Sequence, residues 1–447
     1  MQSQIRTFSY PNGEIQRVHI VQPESWQEVD FLNLHYQQPA LDCFHRVYRQ
    51  FLVPGCPWLF GQMVMFYLPG DVAVPFPFET RKYGSVANPL TAAAAALEQG
   101  VRIVDGKPRF RNETVKAFWQ ELEKRDCVKI VRGKLPVTTI IPVGPLPGFL
   151  TRTETEARMK VNASFFVMDR FDCSTLYDHI GTPLGLCVKN GVVKNPPLYR
   201  REALLVKKDG SVTVAVPDLK EMDIEIGGVH YRHGHNARIY TRPDYFRTPP
   251  AKGRKLVITG CRVAAVYDGL SAHIPTSGVV LCPMEMCDAK PGDAVVYHGM
   301  EDVSFGIQVG NSIVKNGVKT LSFQSKYYNI RRFEPVPFPP SLYPLDFEHA
   351  RAARIALGAD AQGKPMILWA EGAGKLSYTP GQDSCGASLS EMAKICTAVG
   401  MVNGVNLDGG GSAQILVNNQ RSLLISDRKA EDNTESERPV PNGLMVR

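Results

Sequence analysis

Three stretches of the chain repeat one device, a short apolar run, a two-residue turn and a second apolar run. They are PLGLCVKNGVVKN (183–195), EALLVKKDGSVTVAV (202–216) and GNSIVKNGVKTLSF (310–323). Asn-Gly and Asp-Gly tolerate the left-handed backbone that tight hairpins need, so each stretch reads as strand, turn, strand. ARIALGADAQGKPMILWAEG (353–372) has the same plan with a longer turn. Successive hairpins bring neighbouring strands together antiparallel, whereas parallel sheets need long crossovers. The expected class is α+β, an antiparallel-rich mixed β-sheet core with flanking helices.

Few helices interrupt this texture. NETVKAFWQELEKRD (112–126) places Val115, Phe118, Trp119 and Leu122 on one face behind Asn112 as N-cap. TAAAAALEQG predicts a second short helix ending at Gly100. SLSEMAKICTAVG (388–400) predicts a third, with Leu389, Met392, Ala393 and Cys396 facing inward. Residues 1–134 differ in composition from 135–447 and bear no chemical motif, which suggests a separate N-terminal region. EIQRVHIVQ within it reads as an early strand of the later domain. EPVPFPPSLYP (334–344) reads as a proline-rich surface connection.

Composition narrows the class. Over 447 residues, 51 Lys and Arg against 44 Asp and Glu give +7, too dilute for a nucleic-acid binder but compatible with an anionic ligand. The N-terminus lacks the apolar core of a secretory signal, and no apolar run approaches the roughly 18 residues of a membrane span. The ten cysteines form no CxxC pair, and the closest two are Cys282 and Cys287. They read as reduced, buried thiols of a cytoplasmic protein, or of a secreted or periplasmic one if a signal peptide has been removed. Oligomeric state is not legible.

VNLDGGGSAQILV (405–417) concentrates the chemistry. Three glycines join two strands behind an aspartate. A Walker loop needs Lys-Ser/Thr and a helix next, and neither follows. What remains is bare backbone able to approach a ligand, with Asp408 at its edge.

This stretch resembles the signature of the phosphodiester glycosidase family. VNASFF (161–166), GTPLGLCVKNGVV, GIQVGNSIVKNG, ARIALGAD, WAEG, SLSEMA and RPVPNGLMV are similar to further family blocks in the family's order, over about 135–447. Ala163 and Ser164 stand where the family has two glycines, and Phe323–Asp346 resembles an insertion. The resemblance implies cleavage between a sugar's anomeric carbon and a phosphodiester oxygen. It implies Asp408 as nucleophile, stabiliser or base, with Glu391 and Glu371 as further acids. Arg354 is the implied phosphate clamp. Asn162 binds a sugar hydroxyl or orients water, and Asn406, Gly409, Gly410, Gly411, Ser412 and Asn311 complete the implied substrate site. Local readings stand beside these roles: Ser388-x-x-Glu391 is a capping box, Glu371 a strand-end acid, and Asn162 a turn closer.

HYRHGHNAR (230–238) draws attention as a metal site, but His233 and His235 lack companions at ligand spacing, so a solvated basic loop is expected. No cofactor is required by spacing. A calcium or magnesium ion held by Asp408 and other oxygens stays open, since spacing does not decide it. The expected partner is an anionic sugar phosphate, with no nucleic acid. Two rival functions stay open, a metal-dependent phosphodiesterase cutting P–O and a non-catalytic glycan- or phosphate-binding protein.

Overall fold

The computed structural model describes residues 1–33, 61–66, 85–86, 89–131, 135–142, 150–153, 156–167, 175, 177–178, 181–199, 201–242, 244–310, 312–320, 351–373, 378–427, 432 and 434–447. The expected proline-rich connection and the insertion lie outside these residues, as does Asn311.

A seven-stranded sheet organises the molecule, in the order Gln2–Ser9, Ile15–Gln22, Pro365–Ala370, Arg354–Ala359, Asn403–Asn406, Ser312–Lys315 and Val318–Lys319. Its central strands are buried on both faces, and the period of two sorts their side chains. Ile355, Leu357, Ile367, Trp369 and Val405 point into the main core. Val18, Ile20, Ala356, Met366, Leu368 and Ala370 point the other way, against Leu389, Met392, Ala393 and Cys396 of helix Leu389–Ala398. That helix begins as its sequence predicts: the Ser388 side chain accepts from the Glu391 N–H, and the Glu391 carboxylate accepts from the Ser388 N–H.

A five-stranded sheet contributes to the main core from the other side, in the order Gln420–Arg421, Ile415–Val417, Met159–Asn162, Asn442–Val446 and Val29–Asn33. The first two expected hairpins, joined through Val303–Gln308, form a further sheet, Val192–Asn195, Cys187–Lys189, Val303–Gln308, Ala203–Lys207 and Val212–Ala215, while the other two lie in the seven-stranded sheet. Every strand pair among the described residues is antiparallel except Gly61–Phe66 with Leu135–Pro142. The class is α+β with an antiparallel-rich mixed sheet.

The expected boundary near residue 134 does not separate the N-terminal strands from the rest. Ile15–Gln22 pairs with Pro365–Ala370, and Val29–Asn33 pairs with Asn442–Val446. The physical reason is that both partner strands need a neighbour on that side, and the N-terminal strands supply it. A separate small core does exist beyond residue 60: Val64, Phe66, Leu97, Val115, Phe118, Trp119 and Leu122 pack together. Helix Glu113–Lys124 contributes the predicted face, and Asn112 Oδ1 accepts from the Val115 N–H at 2.9 Å. Five of the seven cysteines among the described residues are buried. No described helix is long and apolar enough to cross a membrane.

Candidate active site

The glycine triplet lies where the chain leaves the seven-stranded sheet, after Asn403–Asn406, and enters the five-stranded one at Ile415–Val417. Asp408 therefore sits between two sheets, held by main chain from both. Its N–H donates to the Ala163 carbonyl at 3.0 Å, and the flanking Leu407 and Gly410 N–H groups donate to Ile355 and Ala353, each at 2.8 Å. The residue is 6% exposed.

Two of the glycines have distinct reasons. Gly410 has φ +59°, a left-handed conformation, and a Cβ there would meet open space. Gly411 lies against a buried ion pair: a Cβ would come within 2.1 Å of Arg438 Nη2 and 2.2 Å of Asp427 Oδ2. Arg438 donates to Asp427 Oδ2 through Nε at 3.0 Å and Nη2 at 2.9 Å, and through Nη1 to Ser412 Oγ at 3.3 Å. The loop is thus open on one side and fixed by charge on the other.

Asn162 ties the loop shut. Its Nδ2 donates to the Asp408 carbonyl at 2.7 Å, and its Oδ1 accepts from the Gln414 N–H at 3.0 Å. These two bonds are the turn-closing contacts. Arg354 lies beside the loop, with its Cδ 3.7 Å from a Cβ built on Gly409. It is 4% exposed and donates through Nε to the Ala387 carbonyl at 3.1 Å. Asn406 is fully buried next to Gly310, whose N–H donates to the Asn406 carbonyl at 2.8 Å. Neither Asn406 amide atom has a hydrogen-bond partner among the described residues. Buried amides in native folds are nearly always paired, so this one marks a place where a polar ligand or water has something to satisfy.

The two glutamates are engaged elsewhere. Glu371 follows Ala370, opposite Arg354, so it reaches the same end of the sheet. Its carboxylate accepts from Arg17 Nε at 2.7 Å, Ser384 Oγ at 2.5 Å and the Leu424 N–H at 2.9 Å. Three donors on a 3% exposed carboxylate give it a structural part, joining the N-terminal strand to the C-terminal segment. Glu391 caps its helix and pairs with Arg351, Nη2 to Oε1 at 2.7 Å. Arg351 also contacts Glu14, whose carboxyl its hydrogen bond holds down at about 2. In the folded chain Glu391 thus serves as a helix cap and Glu371 as a strut between the N-terminal strand and the C-terminal segment.

The sequence reading missed Arg438 and Asp427. Arg438 opens the block RPVPNGLMV, but only the fold brings it back to Gly411. Ser164 and Asn442 were also missed; the Ser164 N–H donates to Asn442 Oδ1 at 3.0 Å beside Asn162. In the stretch 230–238 the structure places the histidines as follows. His233 and His235 do not share a strand face: His233 Nδ1 accepts from the Ile239 N–H at 3.0 Å at a turn, and His235 is exposed. Among the described residues, the group of three or more ligand-type side chains close enough to share an ion is Glu225, His230 and His298, and Asp408 is not in it.

Residues 267–447 match the model of the family described as phosphodiester glycosidase. A stretch of 100 residues is 33% identical to N-acetylglucosamine-1-phosphodiester alpha-N-acetylglucosaminidase of Mus musculus, covering 22% of this chain and 18% of that protein. Among solved structures, a hypothetical protein from Synechocystis aligns with TM-score 0.42 and 15% identity, over 100% of this chain and 62% of that one. The catalytic domain of the zebrafish N-acetylglucosamine-1-phosphodiester alpha-N-acetylglucosaminidase aligns with TM-score 0.38 and 11% identity, over 100% of this chain and 82% of that one.

Proposed function

We propose that this protein, whose residues 267–447 match the phosphodiester glycosidase family model, hydrolyses the glycosidic C–O bond of a sugar-1-phosphodiester. N-acetylglucosamine-1-phosphodiester is the first substrate to try. The leaving group is a phosphate monoester, whose second pKa is about 6, so it departs with little need of a proton. It needs positive charge and N–H donors to meet its growing negative charge. Arg354 and the open backbone at Gly410 provide these. The oxocarbenium-like centre needs a fixed carboxylate, and Asp408 is that group.

The observation that carries the reading is the placement of Asp408. Main-chain hydrogen bonds hold it at the crossing between two sheets, beside a buried arginine and an unpaired buried amide. Such preorganisation is what electrostatic stabilisation of a transition state requires. A calcium or magnesium ion at Asp408 would draw its remaining ligands from main-chain carbonyls and substrate oxygens.

Hydrolysis in isotopically labelled water tests the proposal. The expected result is label in the newly formed anomeric hydroxyl, read before that hydroxyl exchanges with solvent. Label in the released phosphate means P–O cleavage and overturns it. Binding of sugar-1-phosphodiesters without turnover would equally replace the enzyme with a binding protein.

A further inference from the structure

Strands Asp223–Ile226, Val229–Arg232 and Val295–His298 form a three-stranded sheet separate from those that meet at the glycine loop. Alternation divides its faces. Ile224, Ile226, Tyr231, Val295 and Tyr297 are buried in the main core. Register puts Glu225 opposite His230, and Asp223 opposite both Arg232 and His298, on the outward face.

On that face the side chains converge. Glu225 Oε2 lies 2.9 Å from His298 Nε2 and 4.0 Å from His230 Nε2, and the three ligand atoms are all within 4.8 Å of one another. The opposite ring nitrogens face two other carboxylates. His230 Nδ1 is 3.1 Å from Asp223 Oδ1, and His298 Nδ1 is 3.6 Å from Glu301 Oε1. Glu301 is itself oriented by the Gly299 N–H, 2.9 Å from each of its oxygens.

We propose that Glu225, His230 and His298 form a binding site for a transition-metal dication of the zinc class. In the tautomer with its proton on Nδ1, each imidazole presents a lone pair at Nε2. In that form the two Nε2 atoms and the Glu225 carboxylate offer three ligand atoms around a single point, which a dication can occupy. Zinc lies about 2.0–2.2 Å from nitrogen and oxygen ligands, so donors about 3–4 Å apart need only small side-chain rotations to enclose it. Carboxylates behind the histidines are the usual outer shell of such a site, fixing ring orientation and strengthening the ligand. Two imidazoles and one carboxylate favour zinc, copper or nickel over calcium or magnesium.

Three protein ligands leave a coordination position for water or a ligand group. His298 and Glu301 also line a groove of about 1050 Å³, so the position adjoins a space that a small molecule can enter. The inference is independent of the glycosidase reading, because neither the sheet nor its residues belong to the loop.

Cobalt(II) substitution and zinc competition with a chromophoric chelator test the site in the full chain. The wild type is expected to take up one equivalent of cobalt with visible ligand-field bands and no thiolate charge-transfer band. The H230Q/H298Q double variant should lose that equivalent, with zinc affinity falling at least about 100-fold. Asp223→Asn, which leaves all three ligands in place, should weaken zinc about 10-fold. Calcium and magnesium should not compete. Circular dichroism checks that the variants fold, as substitutions on an outward face should. Unchanged metal uptake by the folded double variant, a thiolate band in the wild type, or no uptake at all overturns the proposal.

Discussion

Asn162 donates its side-chain amide to the carbonyl of Asp408 at 2.7 Å across 246 residues of sequence. The same side chain accepts from Gln414 at 3.0 Å, so one asparagine spans the glycine loop from its first residue to the strand beyond. The carboxylate proposed to act on substrate is thereby positioned by a residue from the other sheet.

Replacing Asn162 by alanine strands a buried carbonyl and a buried N–H. A loss of about 1–3 kcal/mol is expected, with turnover falling at the same time because Asp408 loses its anchor. Urea melts and steady-state kinetics on one preparation check both. A variant with intact stability and normal kcat would show that the loop holds itself.

Asp408→Asn keeps the size and the main-chain hydrogen bonds but removes the charge. Melting should stay close to wild type while kcat falls about 100-fold or more. Hydrolysis of a sugar-1-phosphodiester at an undiminished rate would move the chemistry to another residue.

The pair Arg438–Asp427 is almost wholly buried, so removing one partner breaks a buried ion pair. Arg438→Met should cost about 3–5 kcal/mol. The double variant Asp427→Leu/Arg438→Met should recover part of that loss. A single variant no less stable than the double one would contradict this.

Alanine distinguishes the glycines by their surroundings. At Gly410 only the left-handed backbone resists, about 1–2 kcal/mol. At Gly411 the new methyl meets the Arg438 and Asp427 heads at 2.1 and 2.2 Å, and the ion pair must shift. Gly411→Ala should therefore be the more damaging in denaturant melts, and the reverse order would mean that the loop relaxes around the pair.

His19 predicts an acid-side loss of stability. It is 2% exposed, between Ser3 Oγ on Nε2 and Ser422 Oγ on Nδ1, both at 2.7 Å. Burial lowers its pKa below the usual 6.5. The unfolded chain thus binds the proton more readily, so stability is full above about pH 6.5 and declines as pH falls from there toward the folded-state pKa. Burial shifts His233 and His273 in the same direction. His19→Gln should flatten the decline below about pH 6.5, measured as unfolding free energy against pH. An unchanged slope would assign the proton uptake elsewhere.

Local chemistry in the sequence determined what local forces decide. Asn-Gly and Asp-Gly turns fix hairpins through backbone conformation, so those strands lie where the pattern placed them. The helix at 389–398 and its Ser388–Glu391 cap follow from spacing alone. Asp408 and its glycines were identifiable as a loop between two strands, because no helix signal follows them.

Only the tertiary structure decided which sheets those strands join and what surrounds the loop. Residues 15–22 and 29–33 pair with strands that lie more than 300 residues further along the chain. Arg438 and Asp427 meet at Gly411, while Glu371 and Glu391 turn out to be joined to Arg17 and Arg351. The same holds for His230, which meets His298 only through strand register. Such pairings depend on distances closed by folding, and hydrophobic periodicity records which face of a strand is buried, not which charge waits on the neighbouring strand.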